Sequence, residues 1–371
     1  MLKRILLSSP TMHDEEQMFI KEAFDTNWIA PLGANVSGFE NEIASYIGVK
    51  NTLACVSGTS ALFLAIKLAG VKPGDVVLCS DFTFVATVNP IKYIGATPVF
   101  IDSERETWNI NPYALEKAFN KYPKCKCVVI ANLYGVPAKM DEICEVCNKH
   151  NAILIEDAAE SLSATYKGKQ TGSFGQYNAI SFNGNKIITT SGGGMLLSDN
   201  KEAIKKARFW ATQARDPAPW YQHSEIGYNF RMSNIVAGIG RGQLLHLNDH
   251  HDLKKKIYQE YKKGFMGLPV SMNPFSPCSE PNFWLSCILI DKSCNVKPMN
   301  IYDKLNEANI ESRPIWKPMH MQPVYEGYDY INFNNDNVGE DVFARGLCLP
   351  SDIKITEDEQ QYVIDAIKSC F

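Results

Sequence analysis

Ile153-Leu154-Ile155-Glu156-Asp157-Ala158-Ala159-Glu160 is an apolar run that ends abruptly in carboxylates. Aliphatic residues in sequence, without polar alternation, suit a strand covered on both faces. Strands of that kind belong to parallel sheets flanked by helices. The acidic end then falls at the carboxyl end of the strand, where open α/β sheets bind their ligands. The same rhythm extends outward in both directions. Strands are predicted at Thr52–Val56, Val76–Ser80, Thr97–Ile101, Lys126–Ala131, Ile153–Glu156, Asn178–Phe182 and Gly194–Ser198. Amphipathic helices are predicted at Ser60–Ala69, Pro112–Lys121, Met140–Asn148 and Lys201–Gln213. The expectation is an α/β fold with a mostly parallel seven-stranded sheet.

A turn-rich break follows at Arg215-Asp216-Pro217-Ala218-Pro219. Beyond it the spacing predicts one long helix from Met232 to past Asp249. A strand at Phe283–Ile290, a helix at Met299–Ala308, a Pro- and Trp-rich loop at Arg313–Pro323 and a final helix at Glu357–Lys368 come next. The change of rhythm predicts a large domain over residues 1–248, including the N-terminal segment, and a smaller α/β domain over residues 249–371. A length of 371 residues suits two cores better than one or three.

The composition, 45% hydrophobic and 21% charged, is that of a soluble globular protein. A net charge of −4 leaves no footprint for nucleic acid or a membrane surface. No apolar stretch approaches the length of a bilayer span. The opening Met1-Leu2-Lys3-Arg4-Ile5-Leu6-Leu7 is too short in its apolar part for a secretory leader. Eleven cysteines, among them Cys55, Cys79, Cys127 and Cys348, are scattered through apolar runs. They read as small hydrophobes in a reducing, cytoplasmic compartment. Cys144 and Cys147 recur with Met140 and Ile143 at helical spacing, which predicts one buried helix face. A metal would need two further ligands, for which Cys125 and Cys127 are the candidates, and no metal is expected.

Four features carry chemistry, and each has a plainer reading. Ser57-Gly58-Thr59-Ser60-Ala61 lies between a strand and a helix. Glycine lets the backbone approach an anion, and free amides and hydroxyls at a helix start can hold a phosphate. It could equally be an ordinary N-cap. Asp157 could hydrogen-bond a protonated pyridine nitrogen, or merely cap the next segment. Lys186, in Ser181-Phe182-Asn183-Gly184-Asn185-Lys186 ahead of Ser191-Gly192-Gly193-Gly194, could meet a cofactor aldehyde. A solvated lysine is the plainer account. Phe84, after Thr83, could stack on a flat cofactor or belong to the core. Together, in this order, the four match the chain order of a fold-type-I pyridoxal-phosphate (PLP) enzyme.

At this point the chain resembles the DegT/DnrJ/EryC1/StrS nucleotide-sugar aminotransferases. The resemblance is carried by Asn27-Trp28-Ile29-Ala30-Pro31-Leu32-Gly33, Ser57-Gly58-Thr59-Ser60-Ala61-Leu62, Thr83-Phe84-Val85-Ala86-Thr87 and Leu133-Tyr134-Gly135. It continues through Glu156-Asp157-Ala158-Ala159, Ser181-Phe182 with Lys186, Gly227-Tyr228-Asn229-Phe230-Arg231-Met232 and Met319-His320-Met321-Gln322-Pro323-Val324-Tyr325.

The resemblance implies a fold-type-I PLP-dependent transferase in which Lys186 and Asp157 are catalytic. Lys186 would join the cofactor covalently, Asp157 would pair with its pyridine nitrogen and Phe84 would stack on its ring. Gly58, Thr59, Ser60 and Ser181 would hold its phosphate. Asn229 would reach the phosphate of a neighbouring subunit, so the active unit would be a homodimer with shared sites. Trp28, Ile29, Gly33, Arg231 and His320 would face the sugar nucleotide. Glu160 stands where the family usually has glutamine, near the cofactor's phenolic oxygen, where a carboxylate must be protonated or repel a phenolate. The stretch Ser233-Asn234-Ile235-Val236-Ala237-Gly238-Ile239-Gly240 is also richer in glycine than the family pattern. Within the family the chain is most similar to enzymes that aminate C4 of a UDP-linked 4-keto-6-deoxy-N-acetylhexosamine with L-glutamate as donor, in a ping-pong cycle. A PLP-dependent sugar dehydratase and a non-catalytic sugar-nucleotide-binding or regulatory protein are the alternatives. Lys186 speaks against the first, since dehydratase relatives commonly carry histidine there, and Lys186 with Asp157 speaks against the second.

Overall fold

Local chemistry starts the principal helices. Ser57 caps Gly58–Leu68, its Oγ accepting from Ser60 N–H at 3.1 Å. Asn111 caps Pro112–Lys121, which opens on a proline whose missing N–H costs nothing there. Thr356 and Glu359 form a capping box on Glu357–Lys368. The computed structural model describes residues 4–371; Met1, Leu2 and Lys3, part of the segment read for a leader, lie outside the described residues.

The central sheet runs Asn51–Cys55, Gly194–Ser198, Tyr177–Ser181, Ile153–Asp157, Cys127–Ala131, Val76–Ser80, Thr97–Ile101 and Tyr330–Ile331. Gly194–Ser198 is antiparallel to both neighbours, and the remaining pairings are parallel. The expected seven strands are all present, and the count is corrected to eight. The added strand, Tyr330–Ile331, arrives from the C-terminal part and pairs with Phe100 and Ile101. Two residues leave no periodicity to read.

Each face of the sheet buries its own core. Leu62, Ile66, Phe100 and Ile204 pack on one side, and Leu115, Phe119, Ile143 and Leu154 on the other. Cys147 is buried in the second core, while Cys144 is half-buried against it. Each large aliphatic or aromatic side chain so buried contributes about 1.5–3 kcal/mol.

The C-terminal part has an antiparallel sheet of its own, ordered Val270–Met272, Ser286–Ile290, Gly346–Leu349 and Arg313–Pro314. Helices Leu247–Gly264, Pro298–Glu307 and Glu357–Lys368 cover it. Position 248/249 falls in the first turn of Leu247–Gly264. No helix among the described residues is long and apolar enough to cross a membrane.

Two further expectations change. The single helix from Met232 is two, Asn234–Leu244 and Leu247–Gly264. At the joint Leu245 and His246 N–H groups bond to Gly242 and Gln243 carbonyls, three residues back, which tightens the turn and redirects the chain. The strand expected from Phe283 starts at Ser286. Phe283 has φ +54° and Asn282 Oδ1 accepts from Trp284 N–H, so the chain turns before it pairs. Two N-terminal helices, Glu15–Asp25 and Ala34–Ile47, were not anticipated. The glycines of Asn234–Leu244 explain how they dock. A Cβ on Gly240 would lie 2.5 Å from the Phe39 ring, and one on Gly242 would lie 2.6 Å from Glu16 N.

Candidate active site

The carboxyl ends of the parallel strands open into a cavity of about 320 Å³. Strand Ile153–Asp157 delivers Asp157 to its floor, with relative exposure of 6%. Thr87 Oγ–H donates to Asp157 Oδ2 at 2.7 Å, and Ala159 N–H donates to Oδ1 at 3.0 Å. Burial raises the Asp157 carboxyl above its ordinary range, against the pull of Thr87, the Ala159 amide and Lys186.

Lys186 reaches the same cavity from the turn after Tyr177–Ser181, where its N–H bonds Asn183 O at 3.0 Å. Its Nζ stands 3.6 Å from Glu160 Oε1 and 4.1 Å from the centroid of the Trp284 ring. Glu160 Oε2 accepts from Tyr134 N–H at 2.7 Å. Burial pushes the Glu160 carboxyl up to about 7, although Lys186 and the Tyr134 amide oppose it. Trp284 is fixed twice. Its indole N–H donates to Asn185 O at 2.6 Å, and Lys254 Nζ donates to its carbonyl at 3.1 Å. Lys254 is itself buried, which pulls its pKa down to about 8.

Ser57, Gly58 and Thr59 form the opposite rim. The first i→i−4 bond of their helix is Ala61 N–H to Ser57 O, so the Gly58 and Thr59 amides precede the helical ladder and remain to bind an anion. A Cβ on Gly58 would come within 3.0 Å of Ser181 Cβ and narrow that cradle. Phe84 lines the cavity wall with its ring 5.2 Å from Trp316, and the Trp316 N–H donates to Tyr134 Oη.

Residues 10–368 match the DegT/DnrJ/EryC1/StrS aminotransferase family along nearly the whole chain. This chain belongs to that family. EpsN of Bacillus subtilis (strain 168), provisionally described as a pyridoxal phosphate-dependent aminotransferase, is 50% identical over 100% of this chain and 97% of its own. The GDP-perosamine synthase of Caulobacter vibrioides is 35% identical over 99% of this chain and 98% of its own. Spr1654 of Streptococcus pneumoniae, provisionally described as a sugar aminotransferase, superposes in its PLP form with a TM-score of 0.92. It is 24% identical, covers 99% of this chain and 98% of its own, and confirms the fold.

As a DegT/DnrJ/EryC1/StrS-family member the chain is a PLP-dependent sugar aminotransferase, and the cavity suits that cofactor. An anion cradle, a buried acid and an amine line one space, together with an aromatic wall. Of the residues expected there, Gly58, Thr59, Phe84, Asp157, Glu160, Ser181 and Lys186 line the cavity. Ser60 lies behind it, its Oγ 2.8 Å from Ser57 Oγ.

The remaining expected residues lie elsewhere in this chain. Asn229 is exposed on a segment bridged to Thr212. Arg231 bridges Cys55, and its buried Nε has no hydrogen-bond partner among the described residues. Trp28 and Gly33 border a separate cleft with Asn234, and Ile29 is exposed. His320 is enclosed, with Nδ1 2.7 Å from Asp81 Oδ2, Nε2 3.1 Å from Glu340 Oε1 and its ring stacked on Tyr330. Trp284 and Trp316 are cavity residues that sequence reading missed. The Pro- and Trp-rich loop was the available signal for Trp316.

Proposed function

We propose that the chain moves the amino group of L-glutamate to C4 of a nucleotide-linked 4-keto-6-deoxy sugar, with a UDP-linked N-acetylhexosamine as the leading substrate. The observation that carries this reading is the single cavity shared by the Lys186 amine and the Asp157 carboxylate. The 35% identity to a GDP-perosamine synthase supports an amino-sugar product and leaves GDP-linked keto sugars as the competing substrate class.

When bound, the cofactor supplies an electron sink for the carbon that loses a proton. Asp157, fixed by Thr87 and the Ala159 amide, holds a proton on the pyridine nitrogen. Lys186 Nζ would take the proton from the α-carbon of glutamate as general base and give it back as general acid two bonds further along, beyond the transferred nitrogen. The same amine works in reverse on the sugar, which makes the kinetics ping-pong. Gly58, Thr59 and Ser181 hold the phosphate, and the wall of Phe84, Trp284 and Trp316 limits water. Exposed Asn229 suits a contact across a homodimer, with Arg231 and the Trp28–Gly33 loop presented toward the sugar nucleotide. Water-soluble substrates, a sugar nucleotide and glutamate, suit a cytoplasmic enzyme.

The test is the visible spectrum of the protein with PLP, before and after L-glutamate. A band near about 410–420 nm that moves to about 330 nm reports cofactor joined to lysine becoming the amino form. UDP- and GDP-linked 4-keto-6-deoxy sugars are then offered to the amino form. A band that ignores glutamate removes the proposal.

A further inference from the structure

The turn that carries Lys186 is held from behind by a chain of imidazoles that the amination chemistry does not use. His250, on helix Leu247–Gly264, is 2% exposed, and its Nδ1 lies 2.8 Å from Ile187 O, one residue past the amine-bearing lysine. A carbonyl only accepts, so His250 Nδ1 carries the proton and neutral His250 offers a bare Nε2. That Nε2 is 2.9 Å from His13 Nε2, so His13 Nε2–H must donate. His13 stacks on His246 at 3.6 Å, and His246 Nε2 meets Glu15 Oε2 at 3.0 Å. Two further links bind the N-terminal segment to the same turn. Gln243 donates to Thr11 O and accepts from Thr189 N–H, and Ser8 Oγ donates to Asn185 O.

We propose that His13 and His250 are positioning residues for Lys186, coupling the N-terminal segment to the Ile187 carbonyl through one shared proton. A proton added at His13 Nδ1 leaves this bond in place, and only one on His250 Nε2 would set N–H against N–H and part the pair. The inference rests on the reading of Lys186 as the cofactor lysine. Groups facing the pair reinforce a neutral His250. Burial lowers its pKa, and His13, Lys254 and His246 add to this, while the bond to Ile187 O opposes it. Glu15 and Glu16 face His13 from the first helix, Glu16 through the His13 N–H, and Asp249 lies 3.9 Å from His246 Nδ1.

His13→Gln separates a hydrogen-bonded link from simple packing. Glutamine can still donate to the bare His250 Nε2, whereas His13→Leu cannot. Amide hydrogen exchange of the cofactor-free proteins is compared at about pH 7.5, above the ordinary histidine range, where neutral His250 offers its bare Nε2. Strand Ile153–Asp157 serves as the control for global unfolding. Protection over residues 183–190 should fall about tenfold in His13→Leu, roughly what one net hydrogen bond contributes. It should stay near that of the unaltered protein in His13→Gln, whose side-chain amide can donate to His250 Nε2 as the imidazole does. PLP release into an excess of scavenger should follow the same order. Equal protection in all three proteins overturns the proposal. Exchange in the expected order, together with a visible band that survives in Lys186→Ala, would instead overturn the assignment of Lys186.

Discussion

Lys186 Nζ and Glu160 Oε1 stand 3.6 Å apart in the cavity, and the carboxylate is held on its other side by the Tyr134 amide. Burial is the largest influence on Glu160 and keeps it protonated up to about 7. The unfolded chain gives up that proton in the ordinary carboxylate range, so between the two values the unfolded state binds fewer protons. Stability contributed by this group is therefore present at acid pH and lost as pH rises through about 7. Glu160→Gln should remove that slope. The cofactor-free variant should gain on the unaltered protein between pH about 5 and about 8, by at most about 3 kcal/mol. Denaturant midpoints measured at both pH values check it, and parallel pH trends in the two proteins would show that Glu160 is not the titrating group.

Lys186→Ala should lose the visible band and slow amination by at least ~10²–10⁴-fold, the range that a positioned acid–base group contributes. Near-native steady-state rates with glutamate and a keto sugar would reject Lys186 as the reacting amine.

Asp157→Asn keeps a partner for Thr87 but no longer holds a negative charge at the cavity floor. It should retain bound cofactor and lose about 10²–10³-fold in rate, the scale of a preorganised electrostatic contact. Cofactor content by absorbance and single-turnover kinetics separate the two effects. A variant that empties of cofactor but turns over normally when resaturated would assign Asp157 to binding alone.

The strands that form this site were legible because burial on both faces leaves an unbroken apolar run. Val76–Ser80, Thr97–Ile101 and Gly194–Ser198 have the bounds the sequence predicts. Helices Pro112–Lys121 and Glu357–Lys368 agree as well, because proline, a capping box and regular apolar spacing mark their ends. Trp284 escaped notice for the opposite reason. It belongs to an apolar stretch that reads as strand, and only the Asn282 turn and the positive φ of Phe283 rotate it over Lys186. The enclosure of His320 was likewise invisible, since Asp81 and Glu340 lie 239 and 20 residues away in sequence.

His320 ties the end of strand Val76–Ser80 to helix Val338–Arg345. Burial lowers its pKa, but Asp81 and Glu340 outweigh burial and leave it raised. The folded state thus favours the charged form. The stabilisation is complete below the ordinary histidine range and lost as pH rises through the folded value. His320→Gln should therefore be less stable than the unaltered protein at about pH 6 and approach it at about pH 9. A stability gap that stays constant across that interval would reduce His320 to a neutral packing residue.

Asn234 closes a helix that has no cap of its own. Gly33 offers no side chain to Ala34–Ile47, and Asn234 Oδ1 instead accepts from Asn35 N–H at 2.9 Å and Val36 N–H at 3.2 Å. Its amide donates to Trp28 O at 2.7 Å, so one side chain fixes both ends of the Trp28–Gly33 loop. A Cβ on Gly33 would lie 2.4 Å from Asn234 Oδ1, which is why the loop can close only on glycine. Asn234→Ala should cost about 1–3 kcal/mol, combining a lost cap with amides left unpaired in a buried place. Asn234→Asp keeps the acceptor for the helix and loses the donor for Trp28 O, so it should recover part of that cost. Urea midpoints measure the stability. The KM for the sugar nucleotide, compared with that for glutamate, measures the loop. A rise confined to the sugar nucleotide would place the Trp28–Gly33 loop at that substrate, and equal rises for both would make Asn234 a determinant of folding alone.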